Sequence, residues 1–574
     1  MQKILTAEEM REVDRLTTEK YGIPSILLME NAAHATANII KEKLGGSVEG
    51  KSFLILCGKG NNGGDGAALA RILWTAGASI QIILFGKVED TKGDSRINFE
   101  IAHKHEQIGE AFPGSKKGLK YFYFYEVETF DEFRDLTKNF KEDVCIDALF
   151  GTGLSRKVEG ELEKVIGNLH HWQPRGRDSF IISLDLPSGI NANSAFRYSL
   201  DAAGTEVKDH RFTAAQPDLT ITFTAPKLAN VMFPAYQASK ELAVVNIGSP
   251  ESLIDETASK LYLIEKKDAW YWVENTKFSS DSYKNKRGNA LLIVGSKNYT
   301  GAAVLVGNAA MVSGIGLVTV ATSESAQESV SARVLPEVIT QSLAETKDGA
   351  ISEKAFTKIK KMSEKADVLA IGSGLSSDEE TTRKLVREVV EKRTTPIIID
   401  ADGLNSLSPF DLEGLDELPL ILTPHEGEFL RLLGIADKEA IKDRVQAVRD
   451  FAEKYKVILV LKGERTLIGE PSGKVVINPT GNSGLGKAGN GDNLTGIITG
   501  FIAQTLATEH IKNAIEYETA KTVEKVFEAV VAAVYISGLA GDIAEKKFGK
   551  RTMLATDVRE CLSDAFKELT YSEK

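Results

Sequence analysis

Short apolar runs recur along the whole chain, each followed by a glycine-rich or acidic turn and then by a helical stretch. In the first half they are Ser52–Cys57, Ser79–Phe85, Val144–Phe150, Ser179–Asp185, Leu219–Thr224 and Glu241–Gly248. In the second half they are Asn289–Gly295, Leu317–Ala321, Val368–Ile371, Pro396–Ile399, Leu420–Leu422 and Val457–Leu461. Runs this apolar, with little alternation, belong to strands buried on both faces. Parallel neighbours need a crossover between them, and a helix supplies it. The alternation therefore predicts an α/β protein with mainly parallel sheets. A chain of 574 residues is too long for one core. The polar stretch after Ser249-Pro250 divides it, with a first domain over 1–249, a linker over 250–270 and a second domain over 271–574. The halves share a class but no sequence period. Tyr121–Tyr125 reads as one more strand, with alternate rings packed inward.

Composition narrows the partners. Apolar content of 42% and charged content of 26% fit a soluble globular protein. A net charge of -11 argues against holding nucleic acid through its phosphates. Cys57, Cys145 and Cys561 form no CxxC, and the first two fall in strand-like runs. They read as buried free thiols in a reducing compartment. The first residues are charged and lack an apolar signal core, and no uninterrupted apolar run is long enough to span a bilayer. A cytoplasmic protein without membrane attachment is expected.

Local signals place the unusual residues. Thr6 with Glu9 forms a capping box, and Leu5 with Met10 a hydrophobic staple, so a helix starts there and ends near Gly22. Pro24 opens the next helix, closed by Gly45-Gly46. The strand at Ser52–Cys57 leads into Gly60-Asn61-Asn62-Gly63-Gly64-Asp65-Gly66, read as a glycine loop before a helix from Ala67. Strand, glycine turn and helix is the layout of a nucleotide-binding unit, although neither GxGxxG nor a P-loop is present. Asp147 and Asp185 each lie near the end of a strand followed by glycines. With Asp65 they form an acidic cluster whose oxygens suit hard cations. In the second half the ends of strands carry Asp400, His425 and Lys462. The stretch Ala488–Gly496 reads as a loop opening into a buried helix, with Gly489 and Gly491 allowing close approach and Asp492 in the first turn. A helix start of this kind suits an anionic group.

These motifs resemble a known family in both halves. Gly60–Gly66, Asp147–Gly153 and Asp185–Ile190 are similar to the NAD(P)H-hydrate epimerase domain. Gly372-Ser373-Gly374-Leu375, Asp400–Leu404, Thr423–Glu428, Lys462-Gly463, Asn478–Asn482 and Gly491-Asp492 are similar to the ADP- or ATP-dependent NAD(P)H-hydrate dehydratase. The resemblance implies a Rossmann-like three-layer αβα sandwich followed by a ribokinase-like αβα domain. It also implies a bifunctional repair enzyme. The first domain would interconvert R and S hydrates of NADH and NADPH. The second would use ADP or ATP to turn the S hydroxyl into a phosphate leaving group. A small-molecule kinase with a non-catalytic N-terminal domain is the alternative.

Carried over by position, Asn61, Asn62, Gly63, Gly64 and Asp65 would line the epimerase site. Gly151, Thr152, Gly153, Leu154, Ser155, Arg156 and Lys157 would cradle dinucleotide phosphates, and Asp185 would transfer the proton. Asn62, Asp147 and Ser188 would hold a potassium ion. In the dehydratase Ala302, Gly374, His425 and Asp492 would contact the hydrate, with Asp492 as base. Lys462, Gly463, Glu464, Arg465, Thr466 and Gly491 would hold the adenine nucleotide, with Mg²⁺. A homo-oligomer is implied as well. Two departures stand out: Ser373 replaces the proline of a usual Gly-Pro-Gly-Leu, and Asn490 and Asn493 replace smaller or apolar residues.

Overall fold

A computed structural model describes residues 1–108, 121–169, 180–195, 214–377, 379–513 and 522–570. The chain divides into two compact units, Gln2–Ser259 and Lys260–Lys574, the latter with Met1. The boundary between the units falls within the stretch 250–270, which carries secondary structure of its own. That stretch contains helix Glu251–Asp255, strand β8 (Leu261–Leu263) and the start of helix Lys266–Asn275. A three-residue strand offers too short a pattern to be read from sequence.

The first unit is a parallel sheet of β1 (Ser52–Cys57), β2 (Ser79–Phe85), β3 (Phe122–Val127), β4 (Val144–Ala148), β5 (Phe180–Leu184), β6 (Leu219–Phe223) and β7 (Glu241–Val245). Their order is β3-β2-β1-β4-β5-β6-β7, with every neighbouring pair parallel. The chain winds outward from β1 in one direction and from β4 in the other, so a crevice opens between their carboxyl ends. Alternate residues of β1 serve opposite faces. Phe53, Ile55 and Cys57 pack with Ala33 and Ala37 of helix Ser25–Lys43 and Leu69 of helix Asn61–Thr75. Leu54 and Leu56 pack with Phe133 of helix Phe130–Thr137 and Val165 of helix Glu161–Leu169. This is the three-layer sandwich. Phe122 and Phe124 of β3 point inward and Tyr123 outward, as the aromatic alternation predicts.

The predicted caps are present. Thr6 Oγ1 accepts from the Glu9 N–H and the Glu9 carboxylate accepts from the Thr6 N–H, and the helix closes at Gly22 in the left-handed region. The glycine stretch differs from expectation. Helix Asn61–Thr75 begins directly after Gly60, so Asn61–Gly66 is its first turns and not a loop. Its glycines serve packing. A Cβ on Gly63 would lie 1.8 Å from the Gly58 carbonyl oxygen, and one on Gly66 would lie 2.8 Å from the Ala148 side chain. The helix can thus press its start against β1 and β4.

In the second unit the remaining strands are β9 (Asn289–Ile293), β10 (Leu317–Ser323), β11 (Ile339–Leu343), β12 (Val368–Ile371), β13 (Ile397–Ile399), β14 (Leu420–Leu422), β15 (Ile458–Leu461), β16 (Leu467–Gly469) and β17 (Val475–Ile477). They run β8-β17-β16-β15-β14-β13-β12-β9-β10-β11. All pairs from β15 to β11 are parallel, and β16 is antiparallel to both of its neighbours. Here the winding reverses between β9 and β12. Helices Thr300–Val312, Asn490–Asn513 and Thr522–Phe548 cover one face. The last is apolar enough to cross a membrane, yet 78% of its most apolar window is buried within the fold.

Because Gly63 faces backbone and Gly60 open space, their alanine variants should separate. Gly63→Ala is expected to destabilise the first unit by about 2 kcal/mol or more, the scale of overpacking. Gly60→Ala should stay within about 1 kcal/mol of wild type. Denaturant titration of the two full-length variants checks this.

Candidate active sites

The crevice between β1 and β4 opens into a cleft of about 530 Å³. Asp185 lines it, just past the end of β5. Its backbone is in the left-handed region (φ 63°), a conformation costly for a residue with a Cβ. The strain aims a carboxylate into the cleft. Oδ1 accepts from Lys227 Nζ at 2.6 Å and Thr222 Oγ1 at 3.1 Å, and Oδ2 accepts the Thr152 N–H at 3.1 Å. Lys227 is 1% exposed and also donates to Thr222 Oγ1 and the Phe223 carbonyl. An ammonium so deep is tolerated only with this full set of acceptors.

Asn61, Asn62, Asp65, Gly151, Thr152, Gly153 and Leu154 all line this cleft, as expected. A Cβ on Gly151 would come within 3.0 Å of Asp185 Oδ2 and 3.2 Å of the Asn62 side chain, so any larger residue would crowd both. Gly63 and Gly64 lie behind the wall, where they pack on Gly58, Ser95 and Met29. Ser155, Arg156 and Lys157 continue past the lining, with Ser155 and Arg156 exposed. Behind the cleft Asp147 is fully buried and accepts from Ser183 Oγ, from Ser188 Oγ and N–H, and from the Leu149 N–H. Next to Gly151, Asn62 is buried with neither amide atom hydrogen-bonded. Burial raises the Asp65 carboxyl well above the usual range, and Asp185 and Asp14 add to it.

The second site is built on Asp400, at the end of β13. It is 2% exposed. Oδ1 accepts from Lys462 Nζ at 2.9 Å and Thr423 Oγ1 at 2.8 Å, and Oδ2 from Thr495 Oγ1 at 3.0 Å and Ser373 Oγ at 3.3 Å. Four strand or helix ends are thereby tied to one carboxylate. Opposing burial, Lys462 and these hydroxyls hold Asp400 below its ordinary range. Lys462 also lies 3.9 Å from Glu428 and faces the helix start carrying Gly491 and Asp492. Burial pushes the Asp492 carboxyl up to about 6, Asp400 adds to the shift, and Ser373 and Lys462 oppose it. Ser373, at the unusual position of the glycine turn, therefore touches both acids.

Ala302 and Gly374 lie side by side, since a Cβ on Gly374 would lie 3.0 Å from that of Ala302. His425 is the cap of helix Glu426–Leu433. Its Nδ1 accepts the Glu428 N–H at 3.2 Å, the Glu428 carboxylate accepts the His425 N–H at 2.8 Å, and the side chain remains 55% exposed. The segment Gly463, Glu464, Arg465 and Thr466 turns sharply beside Lys462, with Arg465 in the left-handed region and its guanidinium donating to the Pro479 carbonyl. Arg444 supports this turn by donating to the Glu464 carbonyl at 2.8 Å. Lys227, Asp14, Arg444 and the central role of Asp400 were not evident as site features from sequence. Lys227 and Asp14 carry no motif, and Arg444 sits in an ordinary amphipathic helix. For Asp400 the signs were its strand-end position and its place in the Asp400–Leu404 motif, neither of which names its partners.

Residues 25–229 match the family described as YjeF-related protein N-terminus, and residues 290–564 match NAD(P)H-hydrate dehydratase. The bifunctional NAD(P)H-hydrate repair enzyme of Moorella thermoacetica is 35% identical over 99% of this chain and 97% of its own length. The Thermofilum pendens enzyme of the same name is 33% identical over 99% and 97%. The ADP/ATP-dependent NAD(P)H-hydrate dehydratase of Bacillus subtilis, crystallised with ATP and Mg²⁺, is 29% identical over 54% of this chain and 100% of its own, with a TM-score of 0.44. Fold and sites define a two-domain α/β enzyme with an acidic cluster at the strand ends of each domain. The chain belongs to the family of bifunctional NAD(P)H-hydrate repair enzymes.

Raising a carboxyl in the folded state means that the native protein holds the proton more tightly than the unfolded chain does. Stability then falls as pH rises from about 4 through about 6. Asp492→Asn should remove this cost. It is expected to stabilise the second unit by roughly 2–3 kcal/mol at pH 7.5, with the gain fading as pH drops from 6 to 4. Urea titration across that pH range measures it.

Proposed function

We propose that the first domain interconverts the R and S hydrates of NADH and NADPH and that the second converts the S hydrate back to the reduced cofactor at the expense of ADP or ATP. The observation that carries this reading is one acid at each crevice: Asp185 between Lys227 and the Thr152 N–H, and Asp492 at a helix start facing Lys462. In the first domain Asp185 is the group that moves the proton at the substrate's ring. Asn61, Asn62, Asp65 and Gly151–Leu154 surround the ring and the first phosphates, and Ser155, Arg156 and Lys157 reach the outer ones.

In the second domain Asp492 takes the proton from the ring hydroxyl as that oxygen attacks the terminal phosphate. A carboxyl pushed up to about 6 is a stronger base than a free aspartate and is still mostly ionised at neutral pH. The N–H groups from Gly489 to Gly491 and the Lys462 ammonium face the charge that moves to phosphate. Water leaves poorly and phosphate well, so the ring nitrogen then expels phosphate, and loss of a proton from the neighbouring ring carbon to solvent restores the carbon–carbon double bond. Ala302, Gly374 and His425 position the hydrate, and Gly463–Thr466 hold the nucleotide beside Lys462. Mg²⁺ bound with the nucleotide supplies charge neutralisation at its phosphates.

Asn62, Asp147 and Ser188 fit a potassium ion: all offer oxygen, and the buried Asn62 Oδ1 has no protein partner. Potassium would add a fixed positive charge and tie the strand ends together. Replacing K⁺ by Li⁺ is expected to lower the thermal midpoint of the first domain and its interconversion rate, while the dehydration of S hydrate is unchanged. Calorimetry and the two assays in parallel check this.

The activities separate by mutation. Given an equimolar R and S mixture of NADH hydrate with ADP or ATP and Mg²⁺, the wild type should restore the full absorbance of reduced nicotinamide. Asp185→Asn should stop near half, having used only the S form. Asp492→Asn should restore none yet still interconvert the isomers. A stably phosphorylated product with no recovery of absorbance would instead favour a small-molecule kinase.

A further inference from the structure

A further carboxylate enters the first cleft from helix Ala7–Tyr21, outside the residues that match the N-terminal family. Asp14 lines the cleft together with Asp65, Asp185 and Lys227. Its Oδ1 is buried and has no hydrogen-bond partner. A carboxylate oxygen buried without a donor carries an uncompensated desolvation cost. Its neighbour Asp185, by contrast, is fully engaged by Lys227, Thr222 and Thr152.

Resting on the reading that this cleft epimerises the hydrate, we infer that Asp14 is a second catalytic acid of that reaction, the group that holds the proton and delivers it to the leaving hydroxyl while Asp185 serves as the base. Burial pushes its carboxyl up to about 6, Lys227 opposes the shift and Asp185 adds to it. Two acids facing one substrate divide the roles when their surroundings differ in this way. Asp14 feels Lys227 and Asp185 and raises Asp65 in turn, and Arg11 of its own helix, Lys59 and Asp94 line the same cleft.

The step balances. Asp14 gives its proton to the ring hydroxyl as the carbon–oxygen bond breaks, and water departs while the lone pair of the ring nitrogen forms the carbon–nitrogen double bond. Water then adds to the same carbon from the other face. Asp185 takes the proton that this water releases, and the electron pair returns to nitrogen. The proton passes back to Asp14 through solvent, or is used directly when the next molecule runs in the opposite sense.

The experiment uses the full chain without nucleotide, starting from one isomer in ¹⁸O water. The wild type is expected to place solvent oxygen on the product hydroxyl, with kcat falling as pH rises above about 6. Asp14→Asn, nearly isosteric, should lower kcat at pH 6 by about 100-fold or more, the range of general acid catalysis, with KM little changed and the alkaline fall abolished. Asp14→Glu should recover part of kcat and restore the fall. Asp14→Asn within threefold of wild type with an unshifted pH profile would overturn the inference, and so would product that carries no solvent oxygen. If wild type interconverts no isomer, the epimerase reading fails instead. An Asp185→Asn enzyme that stays active while Asp14→Asn does not would leave Asp14 in place and remove only the base.

Discussion

A lysine bonded to a buried aspartate stands at the strand ends of each domain, fully buried in the first and partly buried in the second. In the first, Lys227 meets Asp185, and in the second, Lys462 meets Asp400. Removing either charge from water costs several kcal/mol, and the pairs are tolerated because both aspartates and Lys227 are also met by hydroxyls or backbone groups, while Lys462 has Glu428 nearby. Lys227 spends its donors on Asp185, Thr222 and Phe223, and Asp400 collects Thr423, Thr495, Ser373 and Lys462. These networks tie strand ends to helix starts that are distant in sequence. They also shape the chemistry nearby. A carboxylate that arrives after the lysine is committed finds low dielectric and a like charge, so its proton is held more tightly. Asp14 and Asp492 are in that position, both pushed up to about 6.

The same backbone logic places both pairs. A parallel sheet reverses its winding direction between β1 and β4 in one domain and between β9 and β12 in the other. At each reversal adjacent loops diverge and leave a crevice at the carboxyl ends of the strands. Glycine keeps the crevices narrow. Gly63 and Gly66 let a helix start touch the strands beneath it, Gly151 lets Asp185 approach Asn62, and Gly374 lets a turn reach Ala302. In these places the missing Cβ matters more than loop flexibility, which explains why Asn61–Gly66 is helical although its composition reads as a loop.

Much of the framework was legible. The long apolar runs are the strands, Thr6 and Glu9 mark a helix start, and the residues at the ends of strands are those that converge on the clefts. The strands at 261–263, 467–469 and 475–477 escaped because three residues carry no period, and their pairing comes from the neighbouring sheet edge. His425 illustrates a different gap. Its motif marks a site residue, while its local work as a helix cap becomes visible only once Glu428 folds back onto it.

Strand and helix alternation, the division into two domains and the acids at strand ends were determined by the sequence itself, because burial pattern and turn chemistry are local properties. Which charge each acid meets was decided only by tertiary structure. Lys227 reaches Asp185 across 42 positions and Lys462 reaches Asp400 across 62, and nothing near either lysine announces its partner. Proton affinity depends on that partner and on exclusion of water, so the division of acid and base roles belongs to the fold.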